Sequence, residues 1–300
     1  QVANALDISA AALTRQFTVM QVMPVEPETL FSKVGDYYIA NSAIAFRSVS
    51  INQYFWPMER SRILSAWERG DFSEVRLWLA AHRAMHGELY QLAELLAMAN
   101  NWQLVEALRQ IRKHWLKKTG VLQALAYDEV ADWREQLAQR LQQPETVESR
   151  FLQTWETVWL MELALQRGQT TAALMQFAQT LERLLYLGYT SWLNARGDEL
   201  SRHPTFYSLI DHWREREGLA KNHGVVKQLH KLREKRNKLV HSGRSVPQAE
   251  LAGLFCVGEG DEVASAMIGV LERVCVEEWA IPAQPLLKLL AQWGTAQLRK

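Results

Sequence analysis

The chain has little of what builds a disulfide or metal framework. Its 300 residues include two cysteines, Cys256 and Cys275, with no CxxC spacing. That excludes a disulfide scaffold and a zinc framework, and it fits a reducing cytoplasm. His82 and His86 stand four apart on a helical stretch, as zinc-binding pairs can, but no complete ligand set is read around them, so no metal is expected. No apolar run approaches the roughly 20 residues that span a bilayer, so no membrane partner is expected. The first residues lack the charged start, apolar stretch and small-residue cleavage site of a signal peptide. An excess of one charge is missing too: 34 basic and 33 acidic residues leave a net charge of +1. This excludes a protein that coats nucleic acid through bulk charge, while a local basic site needs only a few Lys or Arg. There is no P-loop, GxGxxG, GxSxG or HExxH, and no cofactor is expected.

What the chain does have is helix-forming sequence. Hydrophobic residues make up 48% and charged residues 22%, ordinary for a globular protein, and 300 residues suggest two domains. Ala, Leu, Gln, Glu and Arg dominate, and apolar residues recur at three- and four-residue steps. One such series is Leu77, Ala80 and Ala81, with Leu89, Leu92, Leu95 and Leu96 further on; another is Leu160, Leu163 and Ala164, continuing after a break with Leu174, Phe177, Leu181 and Leu184. The pattern predicts an all-α helical bundle, with helices near 58–69, 72–83, 87–99, 101–117, 127–142, 146–167, 170–187, 205–216, 222–241, 261–278 and 283–298. Gly70, Gly87, Gly120, Gly168 and Gly243 fall at the breaks, as helix-terminating glycines do. Residues 3–15 read as a short helix. Segment 17–23 has the look of a strand ended by Pro24 and Pro27, 45–51 is ambiguous, and Pro57 suits a first helical turn. Twelve tryptophans point to aromatic packing between helices. Trp102, Trp133 and Trp155 could stack bases, with core packing the ordinary reading. The junctions Arg69-Gly70-Asp71 and Arg167-Gly168-Gln169 look alike, as helical hairpins with a Gly stop do. The polar, Pro-containing stretch 142–146 is the candidate boundary, giving a mostly helical N-terminal region, 1–145, and a C-terminal domain, 146–300.

The informative segment is 223–243, HGVVKQLHKLREKRNKLVHSG. As a helix it places Leu229, Leu232, Leu239 and Val240 on one stripe, with Arg236 inside that stripe. An Arg there is costly unless paired or set at an interface or cavity. His230, Arg233, Asn237 and His241 lie on the adjoining face, within roughly 80° of one another. On spacing alone this is also what a surface-charged helix ending in His-Ser-Gly looks like, since His near a C-terminus favours the helix dipole. His203 and His212 precede this helix; they could face the cleft, and a loop or surface role is the ordinary reading.

The run Arg236-Asn237-Lys238-Leu239-Val240-His241 resembles the R-N-x3-H signature of the HEPN superfamily, in which the motif ends a long helix within a four- or five-helix bundle. Helices at 146–167, 170–187, 205–216, 222–241 and 261–278 fit such a HEPN-like bundle, and Glu182-Arg183-Leu184-Leu185 resembles the family's second helix. More loosely, 63–82 and 160–186 resemble the helical half of CRISPR type III accessory ribonucleases, which join a nucleotide-sensing CARF domain to a HEPN effector. With the motif, the resemblance covers about two-thirds of the chain. One departure is plain: segments 17–23 and 45–51 are too short for the βαβ series of a CARF sensor.

The resemblance implies metal-independent endonuclease action on single-stranded RNA, in CRISPR type III antiviral defence. Arg236, Asn237 and His241 would be catalytic. The RNA 2′-OH would be the nucleophile, His241 a general base or acid, Arg236 the phosphate holder, and Asn237 a donor to the phosphate or a guide for His241. Arg233, Lys235, Lys238, Arg244 and His230 would contact RNA. The same resemblance implies a homodimer whose two motifs share one cleft, and a cyclic oligoadenylate activator if the parent protein carries a sensor. A HEPN toxin or stress ribonuclease outside CRISPR keeps the fold and changes the system. A non-catalytic HEPN scaffold or RNA-binding protein keeps the bundle alone.

Overall fold

The computed structural model describes residues 20–24, 31–34, 37–40, 46–115, 146–198, 203–258, 261–277 and 279–300. From Ile51 onward the described residues form helices joined by turns, and the fold class is the all-α helical bundle. Upstream lie two separate antiparallel ladders. β1 (Met20–Pro24) pairs with β4 (Phe46–Ser50), Met20 opposite Ser50 and Pro24 opposite Phe46, and β2 (Phe31–Val34) pairs with β3 (Tyr37–Ala40). Neither is a parallel pair, so the described residues contain no βαβ unit. The expected helices at 3–15 and 127–142, Trp133, Gly120 and most of the expected boundary at 142–146 lie outside the described residues.

The chain forms two compact units, one comprising residues 1–94 and 294–300, the other 95–293. In the first, α1 (Ile51–Glu68) packs on α2 (Phe72–Leu79), which runs into a 3-10 turn, Ala80–His82. Pro57 sits inside α1 instead of opening it. Ile63, Ala66, Trp67, Phe72, Val75 and Leu79 are buried there. His82 is buried, and its Nε2 is hydrogen bonded to the carboxylate of Glu59. The fold thus brings His82 a carboxylate from 23 residues away that local spacing does not show. Among the described residues no group of three or more His, Cys, Asp and Glu side chains could hold a metal ion. α3 (Gly87–Asn100) crosses from the first unit into the second.

The second unit holds α4 (Leu104–Trp115), α5 (Val147–Trp155), α6 (Thr157–Gln166), α7 (Thr170–Arg196), α8 (Phe206–Arg216), α9 (Gly224–Ser242), α10 (Gln248–Phe255), α11 (Asp261–Val274) and most of α12 (Leu286–Arg299). α7 is its axis and packs against α5, α6, α8, α9, α10 and α11. Its inner face is the apolar series Ala173, Leu174, Phe177, Leu181, Leu184 and Leu185, buried against Phe151, Leu209, Leu229, Phe255, Met267 and Leu271. Each buried Leu, Phe or Met of this core contributes about 1.5–3 kcal/mol by leaving water. Thr146 and Thr205 cap α5 and α8 by accepting from the backbone N–H of Ser149 and Ser208.

The two look-alike junctions share one geometry. Gly70 and Gly168 have φ of +73° and +69°, and the following residues donate back to Ala66 and Ala164, both at 2.8 Å. This is the six-to-one bond of a helix stop that needs a left-handed residue. The expected helix at 146–167 is divided at Glu156, and α7 runs through Gly188 to Arg196. Trp155, Trp159, Trp213 and Trp279 are buried, as aromatic packing predicts. Trp102 differs: it is 52% exposed, in a turn with φ +65°. Among the described residues no helix is long and apolar enough to cross a membrane.

Candidate active site

α9 carries the motif. Val226, Leu229, Leu232 and Leu239 are buried and turn toward α7, α8 and α10, on which α9 packs. The helix ends where Gly243, at φ +62°, donates its N–H to the Leu239 carbonyl. Val240 departs from the expected stripe and is 54% exposed, because the neighbouring helices cover the last turn only on its Leu239 side.

Arg236 lies where helical arithmetic puts it, between Leu232 and Leu239 and half-buried. Its solution to burial is an intrachain ion pair: Nη2 stands 3.4 Å from Glu182 Oε2 on α7. Its Nη1 donates to Asn237 Oδ1 at 3.1 Å. Because Asn237 Oδ1 accepts from Arg236, the amide group of Asn237 retains both N–H donors for another oxygen. Asn237 and His241 are exposed and one turn apart on the outer face. The helix therefore brings Arg236 and Asn237 into contact and sets His241 beside Asn237.

The surrounding residues divide into two groups. The guanidinium of Arg233 lies 4.9 Å over the ring of Tyr207 and pairs with Glu234 at 3.4 Å. The ring of His230 lies 4.9 Å from the same tyrosine. Burial lowers the pKa of His230, and Arg233 lowers it further against a smaller opposing effect of Asp211 and Glu234. Lys235 is held by Glu250 of α10. In contrast Lys238 and Arg244 are exposed, and neither side chain has an ion-pair partner among the described residues. Three polar atoms along this helix, His230 Nδ1, Arg233 Nε and Arg236 Nε, are buried and make no hydrogen bond. Buried groups of that kind call for an explanation.

Sequence reasoning did not find Glu182 as the partner of Arg236, nor Tyr207 or Glu250. Glu182 entered only through the resemblance of the Glu182-Arg183-Leu184-Leu185 run, with no signal that it pairs with Arg236, and the other two carry no local signal. His203 is an exposed residue ahead of α8, as read from the sequence, and stacks on Tyr186 with ring centroids 5.2 Å apart; His212 is partly buried on α8 and stacks on Tyr189 at 4.5 Å. Compared with protein-family models, curated proteins and solved structures, the chain matches none.

Proposed function

We propose that this chain is a metal-independent endoribonuclease acting on single-stranded RNA, with Arg236, Asn237 and His241 as its catalytic residues. The observation that carries the reading is the treatment of Arg236. A guanidinium is kept on a buried stripe, held by Glu182, and joined to Asn237 beside an exposed imidazole. Those are the groups that cleavage through the 2′-OH requires. His241 withdraws the 2′-OH proton, or delivers one to the leaving 5′ oxygen. Arg236 and the amide of Asn237 neutralise the charge that grows on the phosphate.

One chain offers one motif imidazole, whereas the reaction uses both a base and an acid. A homodimer joined across the motif face supplies both. Exposed Val240 at the end of α9 and Tyr207 on α8 give that face apolar area. Lys238 and Arg244 would then meet backbone phosphates. On the resemblance of the motif we place the protein among effectors of CRISPR-linked antiviral defence.

The test is cleavage of a fluorescent single-stranded RNA in EDTA by the wild type, His241→Ala and Glu182→Gln. Wild-type cleavage leaving 2′,3′-cyclic phosphate ends, loss in His241→Ala and partial loss in Glu182→Gln are expected. Equal cleavage by the wild type and His241→Ala would remove His241 from the chemistry.

A further inference from the structure

A cavity of 350 Å³ opens among α7, α8 and α11, and its walls include Tyr189, Trp192, Arg196, His212, Trp213 and Arg216. None of Arg236, Asn237 and His241 lines it. Tyr189, Trp192 and Arg196 follow one another at three- and four-residue steps, so they share one face of α7. The His212 ring stacks on Tyr189 with an interplanar angle of 19°, and Trp192 lies within 21° of parallel to the same tyrosine. The Arg196 guanidinium sits 4.1 Å over Trp192. His212 and Trp192 are thus each nearly parallel to Tyr189, and Arg196 covers one face of Trp192. Arg196 has no carboxylate partner among the described residues.

Two further features mark this cavity as built. The indole N–H of Trp213 is buried without a hydrogen-bond partner, which costs free energy unless an acceptor arrives. Gly188, buried inside a 27-residue helix, stands where Ala would favour the helix by about 1 kcal/mol. A Cβ there would come within 3.2 Å of Arg216 Nη1. The missing side chain lets Arg216 lie against α7 at the cavity wall. Among the described residues Arg216 is otherwise paired only with its neighbour Glu217, at 2.8 Å and partly exposed, a kind of pair that contributes little and exchanges readily for another anion. A second cleft, of 750 Å³, shares Gly188, Trp192 and Arg216 and extends the space outward.

We propose that this cavity is a nucleotide subsite, in which one nucleobase stacks on the Tyr189–Trp192 ring face and its phosphate meets Arg196 and Arg216. Ring faces stack with any base and so tolerate sequence. The volume lies in the range of small-ligand sites. The shared chemistry is a single nucleotide unit, either free or part of a strand. Trp192 is ten residues beyond Glu182 on α7, about 15 Å along the helix. A strand of a few nucleotides lying on the motif would therefore reach the cavity. The proposal rests on the cavity and stands whether or not the motif cuts RNA.

Calorimetric titration of the full chain with nucleosides, nucleoside 5′-monophosphates and a short 2′-O-methylated oligoribonucleotide tests it. Saturable monophosphate binding is expected, weakened about tenfold by Trp192→Leu. Arg196→Ala should abolish the preference for monophosphate over nucleoside while leaving nucleoside binding intact. Circular dichroism confirms that both variants are folded. An oligonucleotide that displaces the monophosphate and weakens with Trp192→Leu identifies the strand as the source. An oligonucleotide indifferent to Trp192→Leu identifies the free nucleotide. Absence of saturable binding at millimolar monophosphate, or an unchanged Kd in folded Trp192→Leu, overturns the proposal.

Discussion

Glu156→Gln should unfold the second unit more readily, by about 2–4 kcal/mol. Glu156 is 3% exposed, at the break between α5 and α6. Its two carboxylate oxygens accept the backbone N–H groups of Leu286 and Leu287, each at 2.8 Å. Those amides belong to the first turn of α12, where no helical carbonyl can satisfy them. A carboxylate there gains from two charge-assisted bonds and from the positive end of the helix. Glutamine keeps the shape but loses the charge and turns an N–H toward one of the amides. One charge-assisted bond to a buried group contributes about 1.5–3 kcal/mol, and the lost interaction with the helix terminus adds about 0.3–1 kcal/mol. Thermal unfolding followed by circular dichroism should show a drop of several degrees, since each kcal/mol shifts Tm by about 2–4 °C in proteins approaching this size. Hydrogen exchange gives the local readout: the Leu286 and Leu287 amides should lose protection before the rest of α12. An unchanged Tm with both amides still protected would refute the claim that Glu156 anchors this helix.

Gly294→Ala should also destabilise, against the usual preference of helices for Ala. An added Cβ would stand 2.0 Å from Cζ2 of Trp67, which is 2% exposed. Overpacking of about 1–3 kcal/mol opposes a propensity gain of about 1 kcal/mol, and a rise in Tm would show that the ring yields freely. Burial pushes the Cys275 thiol up to about 12, with Glu272 adding to it, whereas Cys256 is exposed. Iodoacetamide at pH 8 should therefore alkylate Cys256 and spare Cys275 until denaturant is added, as peptide mapping would show; equal labelling of the native protein would contradict the burial. Burial and the neighbouring His82 lower the pKa of His86, and His230 is lowered as well. The unfolded chain then takes up protons first, so stability is level above the ordinary histidine pKa of about 6.5 and falls as the pH drops through it. The acid loss in Tm should shrink in His86→Phe, and a flat profile from pH 7 to 5.5 in the wild type would refute it.

The helices were legible because their signal is local. The Leu-rich period of α7 and the Arg-Gly stops at Gly70 and Gly168 contain their own geometry. What escaped the sequence depends on partners elsewhere in the chain. α1 begins at Ile51 and carries Pro57 at its seventh position, where the missing N–H leaves the carbonyl of residue 53 without its helical donor, so the proline does not mark the helix start. α7 passes Gly188 because Arg216 occupies the space beside it. α10 is an eight-residue helix after Pro247, too short to show a period, and is held by burial of Leu251, Leu254 and Phe255. The site divides the same way. Helical arithmetic on α9 located Arg236 on the apolar stripe and His241 beside Asn237. The ion pair with Glu182 joins residues 54 positions apart, and no spacing rule reaches that far.

The stripe position of Arg236 also separates stability from function. Its side chain and that of Glu182 are 28% and 33% exposed, so their pairing is worth at most about 1 kcal/mol. The Arg236 Nε remains buried without a partner, which subtracts from that gain. Leu232 and Leu239 flank the site, and a leucine at 236 would join them. Arg236→Leu removes one partner and leaves Glu182, whose side chain is 33% exposed and can be solvated at small cost, while about 1–2 kcal/mol is gained from the apolar area. Arg236→Leu should therefore melt within about 3 °C of the wild type or above it, while RNA cleavage in EDTA disappears. A strong fall in Tm for Arg236→Leu would make the residue a structural clamp, and Arg236 would then lose its claim to the phosphate.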